Sequence, residues 1–219
     1  MGALGWNSKT YRKFDEERAR DYAHIACHIF APIFPVIADM IVERCGIRQG
    51  TAIDVGSGPA NLAIALAKIT DLRLYAMDFS WDMNRIAEEN IAGQGLAARV
   101  QSVTGDVHRM PFGSNIASLI ASRGSMRFWR NKPAAFREFH RVLRPGGRAF
   151  IGGGMGSAKL GDDIAVEMQK RDPQWSMRPK MPTRRHDSAQ LAAAMDKAGF
   201  FTHEIIDDDT GFWLYMEKR

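Results

Sequence analysis

Cysteine is scarce in this chain: only Cys27 and Cys45 occur in 219 residues. Two thiols cannot build the disulfide framework of a small secreted domain, so a reducing cytoplasm is the expected setting. Long apolar runs are missing as well. The longest uncharged stretch, Tyr22 to Ala38, is broken by His24, His28, Pro32 and Pro35 and is too short for a membrane span. The opening residues M-G-A-L-G-W-N-S-K lack a basic segment followed by an apolar block, so no secretory leader is expected. Trp6 stands where a myristoylation signal needs Ser or Thr. No internal repeat or low-complexity tract is present.

An excess of one charge is also lacking. Thirty Lys and Arg face 25 Asp and Glu, a net charge of +5. Most basic residues alternate with acids, as in K-T-Y-R-K-F-D-E-E-R-A-R-D. That is a solvated helix face, not the concentrated, aromatic-flanked patch of a nucleic-acid binder. A nucleic-acid partner is therefore not expected. The exception is Lys170 to Arg185, where Lys170, Arg171, Arg178, Lys180, Arg184 and Arg185 oppose only Asp172, among Pro173, Pro179, Pro182, Trp175, Met177 and Met181. This composition predicts a long irregular loop, either a functional lid or a plain solvated connection.

What is present fits one α/β domain with a full core: 45% of residues are hydrophobic and 25% charged. Helices are expected over 8–23 and 33–45, parted at A-P-I-F-P because proline interrupts helix interiors. Strands over 51–55, 72–77, 98–104, 117–121 and 147–152 then alternate with helices over 60–68, 81–93 and 132–143, which predicts a parallel sheet with right-handed crossovers. R-P-G-G at 144–147 suits a type II turn. The glycines after Ile151 would open room at a strand end. A helix over 187–198 and a hairpin turning at Asp209 to Gly211 complete the chain. Residues 1–46 read as a helical cap segment, 47–155 as the core, and 156–219 as basic loop, helix and hairpin.

The most informative stretch is A-I-D-V-G-S-G-P-A, residues 52–60. An apolar strand runs into a glycine turn and then the helical pattern N-L-A-I-A-L-A-K, the place where open α/β sheets hold nucleotide-like ligands. Gly56 and Gly58 let the backbone turn and approach a ligand. A dinucleotide fingerprint would need a small residue at position 61, where Asn61 stands. Pro59 removes a donor, and Asp54 would face the pyrophosphate with a like charge. A ligand carrying an ammonium and a nearby cationic centre fits better. The next strand ends in Asp78, at a spacing that suits a ribose diol; the alternative is that Asp78 only caps the helix starting near Trp81.

At this point the chain resembles the class I S-adenosylmethionine-dependent methyltransferases over about residues 50–155. The likeness rests on D-V-G-S-G-P-A, Y-A-M-D-F-S, G-D-V-H-R-M-P-F, the strand A-S-L-I-A-S, and R-V-L-R-P-G-G-R-A-F-I-G-G-G, in this order. It implies a Rossmann-like, seven-stranded, mostly parallel sheet with an antiparallel terminal hairpin and helices on both faces. It also implies S-adenosyl-L-methionine as cofactor. Asp54, Gly56 and Gly58 would hold the methionine end and Asp78 the ribose, with Ser57 and Asn61 also binding the cofactor. Phe79 would lie beside the adenine, Asp106 would meet its amino group and Val107 would pack on the ring, with Met83 and Gly105 also binding the cofactor; Ser122 and Arg123 would lie under the methionine end. Two residues depart from the pattern. Ala60 replaces a frequent third glycine, and Ser118 replaces an aspartate early in the fourth strand, which puts any structural bond there in doubt. S-R-G-S-M-R-F-W follows that strand instead of an N-P-P-Y-like motif, against amino methylation of adenine or glutamine by that route.

Methyl transfer from a sulfonium needs alignment more than acid–base chemistry, so no residue is diagnostic of catalysis. His108, Arg123 and Tyr22 are the candidates for a catalytic contact. Tyr11, Phe14, Tyr22, Trp129 and Met155 are candidates for an acceptor pocket, with Met126 and Phe128 reading more simply as core. His24, Cys27 and His28 share a helical spacing but form an incomplete ligand set, so no metal is expected. The resemblance implies methylation of a small molecule. Alternatives are a non-catalytic or partner-dependent binder of the cofactor, and an RNA or protein methyltransferase using the basic 170–185 segment.

Overall fold

Local signals in the sequence set most element ends. The computed structural model describes residues 16–175 and 187–219, so Tyr11, Phe14 and the basic segment from 176 to 185 lie outside the described residues. Helix α1 (Glu16–His24) runs into a five-residue π-helical turn, Ile25–Ile29. Helix α2 (Ile33–Cys45) leaves this segment at 75°. Pro32 caps α2 and Pro35 sits in its first turn, where a missing N–H costs nothing. Gly46, with φ +62°, closes its C-terminus by donating to Val42 O. Ser80 caps α4 (Trp81–Gly93) and Asn131 caps α5 (Lys132–Val142), each through its side chain. Asp78 is therefore not the cap of α4. Among the described residues no single helix is long and apolar enough to cross a membrane.

The strands are β1 (Gln49–Val55), β2 (Asp71–Asp78), β3 (Val100–Thr104), β4 (Ala117–Arg123), β5 (Leu143–Gly153), β6 (Thr202–Asp208) and β7 (Gly211–Glu217). They form one sheet in the order β3-β2-β1-β4-β5-β7-β6. β7 runs antiparallel to both its neighbours, and the remaining pairs are parallel. This is the mixed sheet with a terminal hairpin expected from the sequence. The chain order reverses between β1 and β4, which makes their C-terminal ends a topological switch point.

Strand alternation splits the core in two. Ala52, Leu119, Ala121, Phe150 and Trp213 pack toward α2, α3 (Asn61–Ile69) and α4. Ile53, Val55, Ile120, Ile151 and Leu214 pack toward α5 and α7 (Ser188–Lys197).

Three expectations are corrected. First, β5 begins at Leu143, before the R-P-G-G turn, and its pairing with β4 jumps from Leu143 to Arg148 across that turn. Gly146, with φ +73°, has the left-handed backbone of the third type II position. Second, residues 158–171 form a helix, α6 (Ala158–Arg171), that the glycine-rich approach and paired acids obscured. Its cap Ser157 and its buried Gly161, Ile164 and Met168 were the signal. Lys170 and Arg171 thus belong to its last turn, bonded to Glu167 and Asp21, not to an irregular loop. Third, Gly152 and Gly154, two of the three glycines after Ile151, open no room. A Cβ on Gly152 would meet Phe212 O at 2.2 Å, and one on Gly154 would meet Thr210 O at 2.0 Å. The hairpin already occupies that space.

Candidate functional site at the switch point

The β1–α3 loop is held by the end of β2. Gly56 N and Ser57 N donate to Met77 O at 2.8 and 3.1 Å, and Gly58 N donates to Asp78 Oδ2 at 2.8 Å. Gly105 N, from the loop after β3, donates to Asp78 O at 3.0 Å. Three strand ends are thereby joined around Asp78. Its other carboxylate oxygen accepts from Ser80 N at 2.9 Å. Burial pushes the Asp78 carboxyl above its ordinary pKa, and these backbone bonds only partly oppose it.

Gly56 and Gly58 have φ of +68° and +52°. A Cβ on Gly56 would lie 2.3 Å from Ser125 Cβ, so glycine is required there by backbone conformation and by space. Ala60 has φ +67°. Its departure from a third glycine is therefore one of conformation rather than size, since the left-handed region disfavours a Cβ by about 1–2 kcal/mol.

Asp54 is 2% exposed. Its Oδ2 accepts from Ala63 N at 3.1 Å, in the first turn of α3, where Ala60 has no capping side chain. A carboxylate from the strand so serves a helix N-terminus. Desolvation raises its pKa to about 7; the Ala63 bond lowers it and the charge of Asp78 raises it further.

Asp54 shares the sheet face of Ala52, and Arg123 that of Leu119 and Ala121. The two side chains therefore leave neighbouring strands on one face. Asp54 pairs with Ala121, which puts Arg123 two residues further along and about 8 Å from Asp54 between Cα atoms. Both line a small cavity of about 20 Å³, with Gly56, Ser57, Pro59 and Leu62 from the loop. Tyr22, Ala26 and Phe34 cover it from the N-terminal segment. Ser57 Oγ is buried at this cavity with no hydrogen-bond partner among the described residues, as is Asn61 Nδ2 in the first turn of α3. Unpaired buried polar atoms are rare, and a ligand is one partner that can complete the bonding.

Other expected residues are more widely placed. Phe79 and Trp81 stand out from the end of β2, 67% and 63% exposed. Met83 and Val107 are buried nearby, and Asp106 is exposed. Burial would raise the Asp106 carboxyl, but bonds from the His108 backbone and ring, with Arg130 close, hold it below its ordinary range. His108 Nδ1 lies 2.6 Å from Asp106 Oδ1, and its Nε2 accepts from Asn131 N at 3.2 Å. Both ring nitrogens are committed, so His108 joins the β3–β4 loop to α5 and has no lone pair free to act as a base.

Ser122 Oγ donates to Val55 O at 2.7 Å and meets Ser125 Oγ at 2.6 Å, pinning β4 to the end of β1. Trp129 is buried against Phe139, 5.4 Å between ring centres, and belongs to the core rather than to a pocket. Met155 contributes its sulfur to Arg123, 3.3 Å from Nη2. Ser118 still makes a structural bond, accepting from Arg144 Nε at 2.9 Å. Cys27 bonds to Asn61 and Asn90, while the His24 and His28 rings pack together at 4.5 Å. Ala26, Phe34 and Ser125 were not picked out from the sequence. Their place depends on how the N-terminal helices fold back over β1 and β4, and no local pattern signals it.

A family model described as a methyltransferase domain matches residues 53–151. A solved structure from Methanococcus maripaludis, provisionally assigned as an S-adenosyl-L-methionine-dependent methyltransferase, is 44% identical. It superposes with a TM-score of 0.88 over 95% of each chain. The demethylmenaquinone methyltransferase of Geobacillus kaustophilus is 30% identical over 110 residues, 49% of this chain and 47% of that protein. The ubiquinone/menaquinone biosynthesis C-methyltransferase UbiE of Pseudomonas putida is 26% identical over 113 residues, 50% of this chain and 44% of that protein. The chain thus spans about half the length of the curated relatives it matches.

Proposed function

This chain belongs to the S-adenosylmethionine-dependent methyltransferase family, and from that premise we propose that it methylates a small-molecule acceptor. When bound, S-adenosylmethionine supplies an activated methyl on a sulfonium sulfur, which an acceptor's nucleophile takes by in-line displacement. One observation carries the assignment of its site. An unpaired buried hydroxyl, Ser57 Oγ, lines one cavity with the buried acid Asp54 on a left-handed glycine turn. An ammonium or sulfonium finds a counter-charge there, and a diphosphate does not.

In this reading Asp54, Gly56, Ser57, Gly58 and Asn61 hold the methionine end, and Asp78 orients the ribose. Phe79, Met83, Gly105, Asp106 and Val107 frame the base. Tyr22 and Phe34, which line the cavity, would shield the reacting atoms from water with the ligand in place. A small acceptor is supported by the relatives named for quinone methylation, although their likeness covers about half of their length. The two cysteines are free thiols, which accords with a reducing cytoplasm.

The test is conversion of S-adenosylmethionine to S-adenosylhomocysteine in the presence of a small-metabolite extract, with Asp78→Ala alongside. Turnover by the wild type and at least tenfold weaker cofactor binding by the variant are expected, since a buried bond to a charged group is lost. Saturable binding of NAD or FAD with no response to the methyl donor would refute the proposal.

A further inference from the structure

Between Asp106 and Glu138 the chain carries no Asp or Glu, while Arg109, Arg123, Arg127, Arg130, Lys132 and Arg137 fall inside that run. The run includes β4, whose C-terminal end lies at the switch point. Soon after β4 comes a short 3-10 turn, Met126–Phe128. Met126 and Trp129 are buried and anchor it, which leaves Arg127 and Phe128 exposed. Ser125 fixes the turn against the end of β1, its Oγ donating to Val55 O at 3.0 Å. The Arg127 guanidinium lies over the Phe128 ring, 4.8 Å from its centre. A ring face steadies a cation without neutralising it.

Negative charge is missing around this turn. The two acids that bound the run are already engaged, Asp106 with His108 at 2.6 Å and Glu138 with Arg141 at 2.7 Å. Arg130 stands near Asp106, and Arg109 near Glu138. The side chains of Arg127 and Lys132 make no ion pair or hydrogen bond with any described residue. Lys132 opens α5, whose first turn holds no acid although acids are favoured there. Burial lowers the Arg123 pKa, Tyr22 opposes that, and Arg127 lowers it further. Arg127 therefore stands near the cavity that Arg123 lines and adds like charge to its wall. Cations gathered on one wall draw an anion to it. Gly124, with φ +82°, has nothing within 4 Å of the point where a Cβ would sit, so open space adjoins the backbone between the two arginines.

We propose that the acceptor is a small anion, and that Arg127 binds its carboxylate or phosphate group at the turn beyond β4. The proposal rests on the methyltransferase reading and adds the acceptor's charge class to it. In that reading the donor takes the ends of β1, β2 and β3, which leaves the turn beyond β4 to the acceptor. A guanidinium pairs with either group through two parallel N–H···O bonds, and the Phe128 ring beside it offers apolar surface to the rest of the molecule.

Calorimetry on the full chain saturated with S-adenosylhomocysteine tests this, with benzoate, phenyl phosphate and neutral benzyl alcohol as probes. The wild type should bind at least one of the two anions tenfold or more tighter than benzyl alcohol, and which anion binds tells carboxylate from phosphate. Arg127→Gln should lose that preference while holding S-adenosylhomocysteine as the wild type does. Arg127→Lys keeps the charge without the planar fork and should fall between them. A wild type that prefers neither anion, a preference that survives Arg127→Gln, or an Arg127→Gln protein that loses S-adenosylhomocysteine as well overturns the proposal. So does salt-sensitive binding of a short RNA, removed by Arg127→Gln, without uptake of either small anion. In all of these the wild type still binds S-adenosylhomocysteine and the methyltransferase reading stands. A wild type that does not bind it overturns that reading and the proposal together, which separates the two failures.

Discussion

Asp54→Asn should make the ligand-free protein more stable at alkaline pH while weakening its hold on the methyl donor. Desolvation raises the Asp54 carboxyl to about 7, whereas an aspartate in an unfolded chain titrates near 3.9. A difference of about 3 units sets a ceiling of about 4 kcal/mol on the cost of ionising it in the folded state. The folded state holds the proton more tightly than the unfolded one. The penalty is therefore small below about pH 4, grows between about 4 and 7, and is complete above 7, so stability falls as pH rises through that window. Relaxation and water entry reduce the realised cost to about 1–3 kcal/mol. Asparagine keeps an oxygen for the Ala63 N–H and carries no charge. Thermal melts of both proteins near pH 5 and near pH 8.5 should show the variant's advantage widening with pH by a few degrees, at about 2–4 °C per kcal/mol for a chain of this size. Calorimetry with S-adenosylmethionine should show at least a tenfold loss of affinity. An advantage that does not widen with pH, or a variant less stable in alkali, would refute a buried acid that ionises at a cost.

Gly56→Ala should destabilise the fold by about 2 kcal/mol or more and abolish cofactor binding, because it adds a Cβ to a left-handed backbone against Ser125. Adding Ser125→Gly should restore the part due to the clash and leave the part due to φ; normal affinity in the single variant would contradict the loop geometry. Ser118→Ala removes the acceptor for Arg144 and should cost about 1–2 kcal/mol in urea unfolding, with cofactor affinity unchanged. The bond from Arg141, aided by Met110 N, holds the Glu138 carboxyl below its ordinary range despite some burial. Its stabilisation is present above the unfolded value of about 4.3 and is lost as pH falls through the lower folded value. Glu138→Gln should therefore be less stable than the wild type at neutral pH and converge with it in acid, and a constant gap would count against this linkage.

The elements legible before folding are those whose signals are local. The β1 strand and its glycine turn, the proline break before α2 and the C-terminal hairpin are each written within a few residues, because turn and proline constraints act at short range. The five motifs that carry the family resemblance were legible for the same reason. Helix α6 was not, because Gly161 and the adjacent acids weaken its pattern and its stability comes from burying Ile164 and Met168 against the rest of the chain. Tertiary structure alone decided what the side chains do. Asp54 looked like a ligand residue and is also the cap of α3. His108 was a candidate for a catalytic contact and is held at both nitrogens, Trp129 was a candidate for pocket lining and is core, and Gly152 and Gly154 make way for a strand. In each case the deciding partner is remote in sequence: Ala63 is bonded to Asp54, Asn131 to His108, and Thr210 is pressed against Gly154. The same holds for the cavity, since strand register places Asp54 and Arg123 on one face. Register is set by how whole strands pair, and that is a property of the folded sheet.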